Sequence, residues 1–232
     1  MNIRILQLIE GAKQATGIAV IIDVFRAFSV EAYLTAKGAG KIIPVGDMQI
    51  AYDMKKENPD VILIGERGSK KLPGFDYGNS PSEIENVDFV GKTVVHTTSS
   101  GTQGIANAKN AEVIVTGSLV NAKAIAEYIK REGFEDISLV GMGLGGKMPS
   151  DEDTLCAEYI KSLLLNEPFD LEGGIEALKK TTGARFFDPE QDHSPEKDFY
   201  MCTDANKFGF VLKVERDPET GLERSKRIDI YG

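Results

Sequence analysis

Residues 18–30 read IAVIIDVFRAFSV. The first five are apolar without a break, too apolar for a strand with one face in water. They predict a strand covered on both sides, as in the parallel sheet of an α/β fold. From residue 28 the apolar positions fall three and four apart, which predicts a helix. Asp23 and Arg26 stand at the junction. In α/β sheets ligands gather where strands end, so chemistry is sought first at such junctions.

The alternation repeats along the chain. Short Ile- and Val-rich runs predict strands over 3–9, 18–24, 41–45, 61–65, 93–96, 111–116 and 137–141, and a further short run falls at 210–214. Helical spacing falls over 28–37, 48–57, 102–108, 121–132, 153–165 and 171–180. Strands and helices in this order predict an α/β fold with a largely parallel sheet. No linker, internal repeat or low-complexity tract interrupts it, so residues 1–232 are expected to form one domain. Residues 215–232 (ERDPETGLERSKRIDIYG) read as a turn and a solvated tail.

Composition narrows the function classes. The 232 residues carry 27 Lys+Arg against 36 Asp+Glu, a formal charge of −9, with 41% hydrophobic residues. That is enough to build a core and too acidic, with no basic block, to favour nucleic acid or an anionic membrane surface. Two histidines (His96, His193) and two cysteines (Cys156, Cys202) show no zinc spacing and no disulfide framework. No run is long and apolar enough to span a bilayer, and the first twenty residues lack a secretion signal. A cytoplasmic protein with reduced thiols is expected, and a homo-oligomer is compatible with the sequence.

Four segments could carry chemistry. At 18–30, Asp23 can hold a hard cation and Arg26 can clamp a phosphate; the competing reading is an ion pair between them, or a helix cap. The loop GERGSKKLPGFDYGNSP (65–81) carries Glu66, Arg67, Lys70, Asp76 and Asn79. Ser80, Pro81 and Glu83 at its end match a helix N-cap, first helical position and capping box, and are assigned to structure. In HTTSSGT (96–102), the hydroxyls of Thr97, Thr98, Ser99, Ser100 and Thr102 surround Gly101 at a helix start. Exposed N–H groups there would bind a phosphate or sulfonate. His96 beside them could act as a base or an orienting group, or be a satisfied buried histidine.

The fourth segment is GMGLGGKMPSDEDTLCAEYI (141–160). Its glycines match a dinucleotide fingerprint, but a second helix follows where a strand and an acidic residue are required. The P-loop spacing fails at Met148, which stands where a Ser or Thr should bind magnesium. Asp151, Glu152 and Asp153 suit a helix start, with Ser150 and Asp153 resembling a capping box. Three acids repel one another, and a bound cation would relieve this. Cys156, one turn on, is read as a nucleophile candidate or a small packing residue.

Together these four segments resemble, in order, the 2-phosphosulfolactate phosphatase family, most specifically through GERG…PGFD-GNSP followed by TTSSGT. The resemblance covers roughly the first two-thirds of the chain. It implies a three-layer α/β/α fold with a largely parallel or mixed central sheet, and a magnesium-dependent phosphatase. The implied reaction converts (2R)-2-phospho-3-sulfolactate to 3-sulfolactate and phosphate, a step towards coenzyme M in methanogens. It marks Asp23, Arg26, Glu66, Arg67, Asp76, Asn79, Thr98, Gly101, Thr102, Glu152 and Asp153 as site candidates. Mg²⁺ is then expected on a subset of Asp23, Glu66, Glu152 and Asp153, and the phosphoryl oxygens on N–H groups of residues 99–102. Arg67 or Lys70 would meet the sulfonate or carboxylate. Alternatives are a phosphatase of another small acidic ester, a nucleotide-binding oxidoreductase, a serine-type hydrolase using His96, and a non-catalytic anion-binding module.

Overall fold

The computed structural model describes residues 1–231. Its elements run β1 (Asn2–Gln7), α1 (Leu8–Gln14), β2 (Ile18–Ile22), α2 (Ala27–Ala36), β3 (Lys41–Pro44) and α3 (Met48–Glu57). There follow β4 (Ile62–Arg67), β5 (Lys70–Lys71), β6 (Thr93–Thr97), α4 (Gly101–Asn107), β7 (Val113–Gly117), α5 (Ala122–Glu132) and β8 (Asp136–Gly141). The chain ends with α6 (Asp151–Leu165), α7 (Leu171–Leu178), α8 (Glu196–Thr203), β9 (Phe210–Arg216) and β10 (Glu223–Asp229).

The strands form one sheet in the order β1-β8-β2-β7-β9-β10-β3-β6-β4-β5. β1, β8, β2 and β7 form one parallel block, and β3, β6 and β4 another. The antiparallel hairpin β9–β10 joins them, pairing with β7 on one side and β3 on the other. The sheet is therefore mixed and mostly parallel.

The unbroken apolar run of β2 has the expected cause. Ile18, Val20 and Ile22 pack with Ala124 and Ile125 of α5 and Ile160 and Leu164 of α6. Ala19 and Ile21 face the other way, against Ala12 of α1 and Ile105 of α4. In the second block Ile43, Leu63 and Val95 meet Ala51 of α3, while Ile42, Ile64 and Val94 meet Val30 and Leu34 of α2. Helices thus cover both faces in a three-layer α/β/α arrangement. Each isoleucine buried in this way contributes about 1.5–3 kcal/mol relative to exposure. α2 is enclosed on nearly every side, because Phe28 packs with the first block and Val30 with the second. Among the described residues no helix is long and apolar enough to cross a membrane.

Three expectations are corrected. The first strand stops at Gln7, and residues 8–14 form α1, whose buried Gly11 and Ala12 are too few to show a helical stripe. No helix follows Ser80: residues 81–86 are turns, and the Ser80 hydroxyl donates to Asp198 as well as accepting from Glu83 N–H. Residues 223–229 are no tail. They pair with β9 over seven positions, Glu223↔Arg216 to Asp229↔Phe210, in the middle of the sheet. β10 escapes the apolar pattern because its contacts are ionic and aromatic: Arg224 bonds Glu215, and the Arg227 guanidinium lies 4.5 Å from the centroid of the Phe210 ring.

A chain ending at Asp217 would leave β9 and β3 with unpaired edges inside the sheet. It is expected to lose cooperative thermal unfolding, followed by circular dichroism, whereas removal of a solvated tail would leave the transition in place.

Candidate active site

Chain segments leaving β2, β4, β6 and β8 meet at a cleft of about 270 Å³. Asp23 leaves β2, Glu66 lies at the end of β4, Ser99 and Ser100 leave β6, and Gly143 to Gly145 leave β8. Asn79, Arg26, Glu152 and Arg185 complete the polar walls. Closure is tight where the blocks touch: a Cβ on Gly101 would sit 2.9 Å from Ala27 Cβ and 3.0 Å from Asp23 Oδ2.

Asp23 is buried and accepts the Ala27 N–H at 3.2 Å. Burial, opposed by that bond and reinforced by the charges of Glu66 and Glu152, raises its carboxyl from the usual 3.8 to about 7. Glu152 is also raised, chiefly by burial, while its bond from the Thr182 hydroxyl pulls the other way. Asp153 does not line the cleft. Its Oδ1 accepts Val24 N–H and its Oδ2 accepts Gly143 N–H, both at 2.8 Å, so it bolts the exits of β2 and β8 together. The expected Ser150–Asp153 capping box is absent for that reason, and Ser150 makes no side-chain cap.

Glu66 holds the neighbouring loop. Ser99 N–H donates to Oε1 at 2.7 Å, and Ser69 N–H and the Ser99 hydroxyl donate to Oε2 at 2.7 and 3.1 Å. The expected anion cradle at 99–102 is largely spent inside the protein. Besides Ser99, Thr102 N–H donates to Thr98 Oγ1 (3.3 Å), Thr98 N–H to Thr102 Oγ1 (3.0 Å), and Gly101 N–H lies against Asp23. Ser100 Oγ accepts Gly146 N–H at 3.1 Å. Gly143 needs its φ of +62°, and a Cβ there would collide with the Met148 carbonyl. With Gly143 and Gly146 already bonded, this glycine loop is no dinucleotide cradle.

Arg26 does not pair with Asp23. Its Nη1 donates to Asp198 Oδ2 at 2.8 Å and to the His193 carbonyl at 3.1 Å, and both charged side chains are buried. Arg67 lies in a separate groove, donating to Gly46 O (3.2 Å) and Thr97 Oγ1 (2.9 Å). Lys70 is exposed on β5, and Asp76 ties the loop down through Leu63 N–H (2.8 Å) and Lys55. Neither lines the cleft. Cys156 sits in the apolar core, where burial pushes its thiol well above the ordinary range. It packs there among apolar side chains and does not line the cleft. His96 is wholly buried.

Sequence reading passed over Arg185, in a short 3₁₀ turn (Ala184–Phe187). Its Nη2 donates to Phe25 O at 3.1 Å, its Nε is buried with no partner among the described residues, and burial lowers its pKa. It packs on Phe186, whose ring centroid lies 5.0 Å from its guanidinium carbon and 6.0 Å from that of Arg26. Its only sequence signal is one basic residue before two aromatics. Asp198, the partner of Arg26, lies in α8, outside the four segments singled out in the sequence.

A divalent ion would find carboxylates here but no finished cage: among the described residues no three His, Cys, Asp or Glu side chains are grouped to hold a metal. Magnesium keeps several waters and takes one or two carboxylates, so the residues fit that ion. Asp23 and Glu152 suit it best, because both line the cleft and burial raises both carboxyls, a cost that a bound cation would offset, whereas Asp153 has both oxygens on backbone N–H groups.

The sequence model described as 2-phosphosulpholactate phosphatase matches residues 3–217. A Caldicellulosiruptor saccharolyticus protein named as a probable 2-phosphosulfolactate phosphatase is 42% identical over 202 residues, covering 85% of this chain and 82% of that protein. Proteins of the same name from Bacillus subtilis and Clostridium perfringens are 32% and 37% identical, covering 87% and 92% of this chain and 89% and 92% of theirs.

Removing Asp198 leaves Arg26 buried without its counter-charge, so Asp198→Ala should lower stability by about 3–5 kcal/mol in urea unfolding. A carboxyl held near 7 when folded and near 3.8 when unfolded binds its proton more tightly in the folded state. Its stabilisation is complete below pH 3.8 and fades as pH rises to about 7. The melting temperature of metal-free protein should accordingly drop between pH 5 and 8 by more in the wild type than in Asp23→Asn, measured in EDTA.

Proposed function

Because this chain belongs to the 2-phosphosulfolactate phosphatase family, whose members are phosphoric monoester hydrolases, we propose that it hydrolyses (2R)-2-phospho-3-sulfolactate to 3-sulfolactate and phosphate with the help of Mg²⁺. In organisms that make coenzyme M this would be a step towards it. The observation that supports the reading is the pairing, in one cleft, of Asp23, Glu66 and Glu152 with Arg26 and Arg185. An acidic chain of charge −9 repels an ester with phosphate, carboxylate and sulfonate groups unless cations stand at the site.

In the reaction a water oxygen bonds to phosphorus, the ester P–O bond breaks, and the departing alkoxide takes up a proton. Asp23 and Glu152 would hold Mg²⁺, which supplies neutralisation of the phosphoryl oxygens when bound. Arg26 is held in place by Asp198 and presents a fixed positive charge to the ester. Arg185, which lines the cleft, takes the part that sequence reading gave to Arg67 or Lys70 and meets a carboxylate or sulfonate. Glu66 keeps Ser69 and Ser99 in position at the mouth. Phe25 and Leu144 supply apolar wall, which limits water around the charges.

Phosphate release from phosphosulfolactate should require Mg²⁺ and stop in EDTA. Asp23→Ala and Glu152→Ala should each lower kcat on the order of 10²-fold or more, and Arg185→Gln should raise KM about ten-fold. Full turnover in EDTA would exclude the metal, and no release from this ester alongside release from another small acidic phosphate would move the reading to that substrate.

A further inference from the structure

A line of buried polar groups runs from the hairpin in the sheet centre to the cleft. Ser225 of β10 donates its hydroxyl to Glu31 Oε2 at 2.8 Å. Glu31 Oε1 lies 2.9 Å from His96 Nδ1, and His96 Nε2 lies 3.2 Å from Asn79 Oδ1. Glu31 and His96 are both 0% exposed, beside a cluster containing Val30, Ile42, Ile64 and Val94. Polar groups so placed carry a desolvation penalty that apolar residues of similar size would avoid. Packing alone gives no reason for them. Of these four side chains only Asn79 lines the cleft.

The orientation of its amide is the informative detail. The Asn79 carbonyl oxygen is turned inward to the imidazole, and a carbonyl can only accept. A hydrogen bond to that oxygen requires a hydrogen on Nε2 of His96, and Nδ1 on the opposite side of the ring faces the Glu31 carboxylate. The Asn79 Nδ2 has no hydrogen-bond partner among the described residues, and with Oδ1 on His96 and the residue in the cleft wall, it is left to the cleft. We infer that His96, held by Glu31, is a positioning residue that locks the Asn79 amide with its N–H groups towards the cleft, where they donate to an oxyanion of the bound ester. Among walls that carry Asp23, Glu66 and Glu152, a neutral donor attracts an anion where a reversed amide would oppose it with a carbonyl oxygen. The inference rests on the phosphate-ester reading of the cleft.

Inorganic phosphate, titrated calorimetrically into the Mg²⁺-loaded protein, is the probe. Asn79→Ala should weaken it about ten-fold, and Asn79→Asp should weaken it more, because a carboxylate replaces the donor. His96→Phe should weaken it to a similar degree, and the double variant His96→Phe/Asn79→Ala should be no worse than either alone. Phosphate affinity retained in Asn79→Asp with tighter Mg²⁺ binding would make Asn79 a metal ligand and overturn the inference; so would additive losses in the double variant. A ring ¹⁵N spectrum of the wild type decides independently of whether His96→Phe folds, and only two histidines contribute to it. A bare Nε2 on His96 overturns the inference, and a protonated one supports it. Failure of the wild type to bind phosphate at all, with Nε2 protonated, would instead count against the phosphate-ester reading.

Discussion

One buried carboxylate, Asp198, holds together segments that lie far apart in the sequence. Its Oδ2 accepts Arg26, while its Oδ1 accepts the Ser80 hydroxyl (2.9 Å) and Ser82 N–H (3.0 Å). The junction after β2, the loop between β5 and β6 and the helix α8 thereby converge on one wall. Such a pair is worth little against an apolar replacement, but breaking it strands a charge, so it acts as a constraint on geometry more than as a source of stability. Asp153 does the same on the opposite side through two backbone N–H groups.

These fixtures explain how an acidic chain assembles a place for an anion. Most of the carboxylates around the cleft are occupied with backbone or hydroxyl donors, and the two guanidinium groups are held by Asp198, by carbonyl oxygens and by the Phe186 ring. The cost of burying charge falls on Asp23 and Glu152 in the cleft wall. Burial raises both, and that is the electrostatic condition in which a divalent cation binds with most relief.

Legibility followed the kind of force involved. β2, β4, β6 and β8 were readable because both faces are buried and each carries a short apolar run, unbroken in β2. Asp23, Glu66 and Glu152 were found because strand ends and helix starts are where ligands collect. β10 was not, since a strand held by Arg224–Glu215 pairing and by the Arg227–Phe210 contact has no apolar alternation to show. The hydroxyl run 97–102 announced an anion site, yet most of its hydrogen-bonding capacity goes to the helix start, to Glu66 and to Arg67. Residue type told what these groups can do, and only their neighbours told what they are doing.

The sequence by itself determined the α/β class, the acidic balance and the set of ionisable groups near the strand ends, because hydrophobic periodicity and charge are local properties of the chain. Tertiary structure alone decided that Arg26 meets Asp198 rather than Asp23, that Arg185 joins the cleft in place of Arg67, and that His96 turns to Glu31 and Asn79. Hydrogen bonds and ion pairs act over about 3 Å, and which partner stands at that distance depends on how segments from 17 to 172 residues apart are packed together.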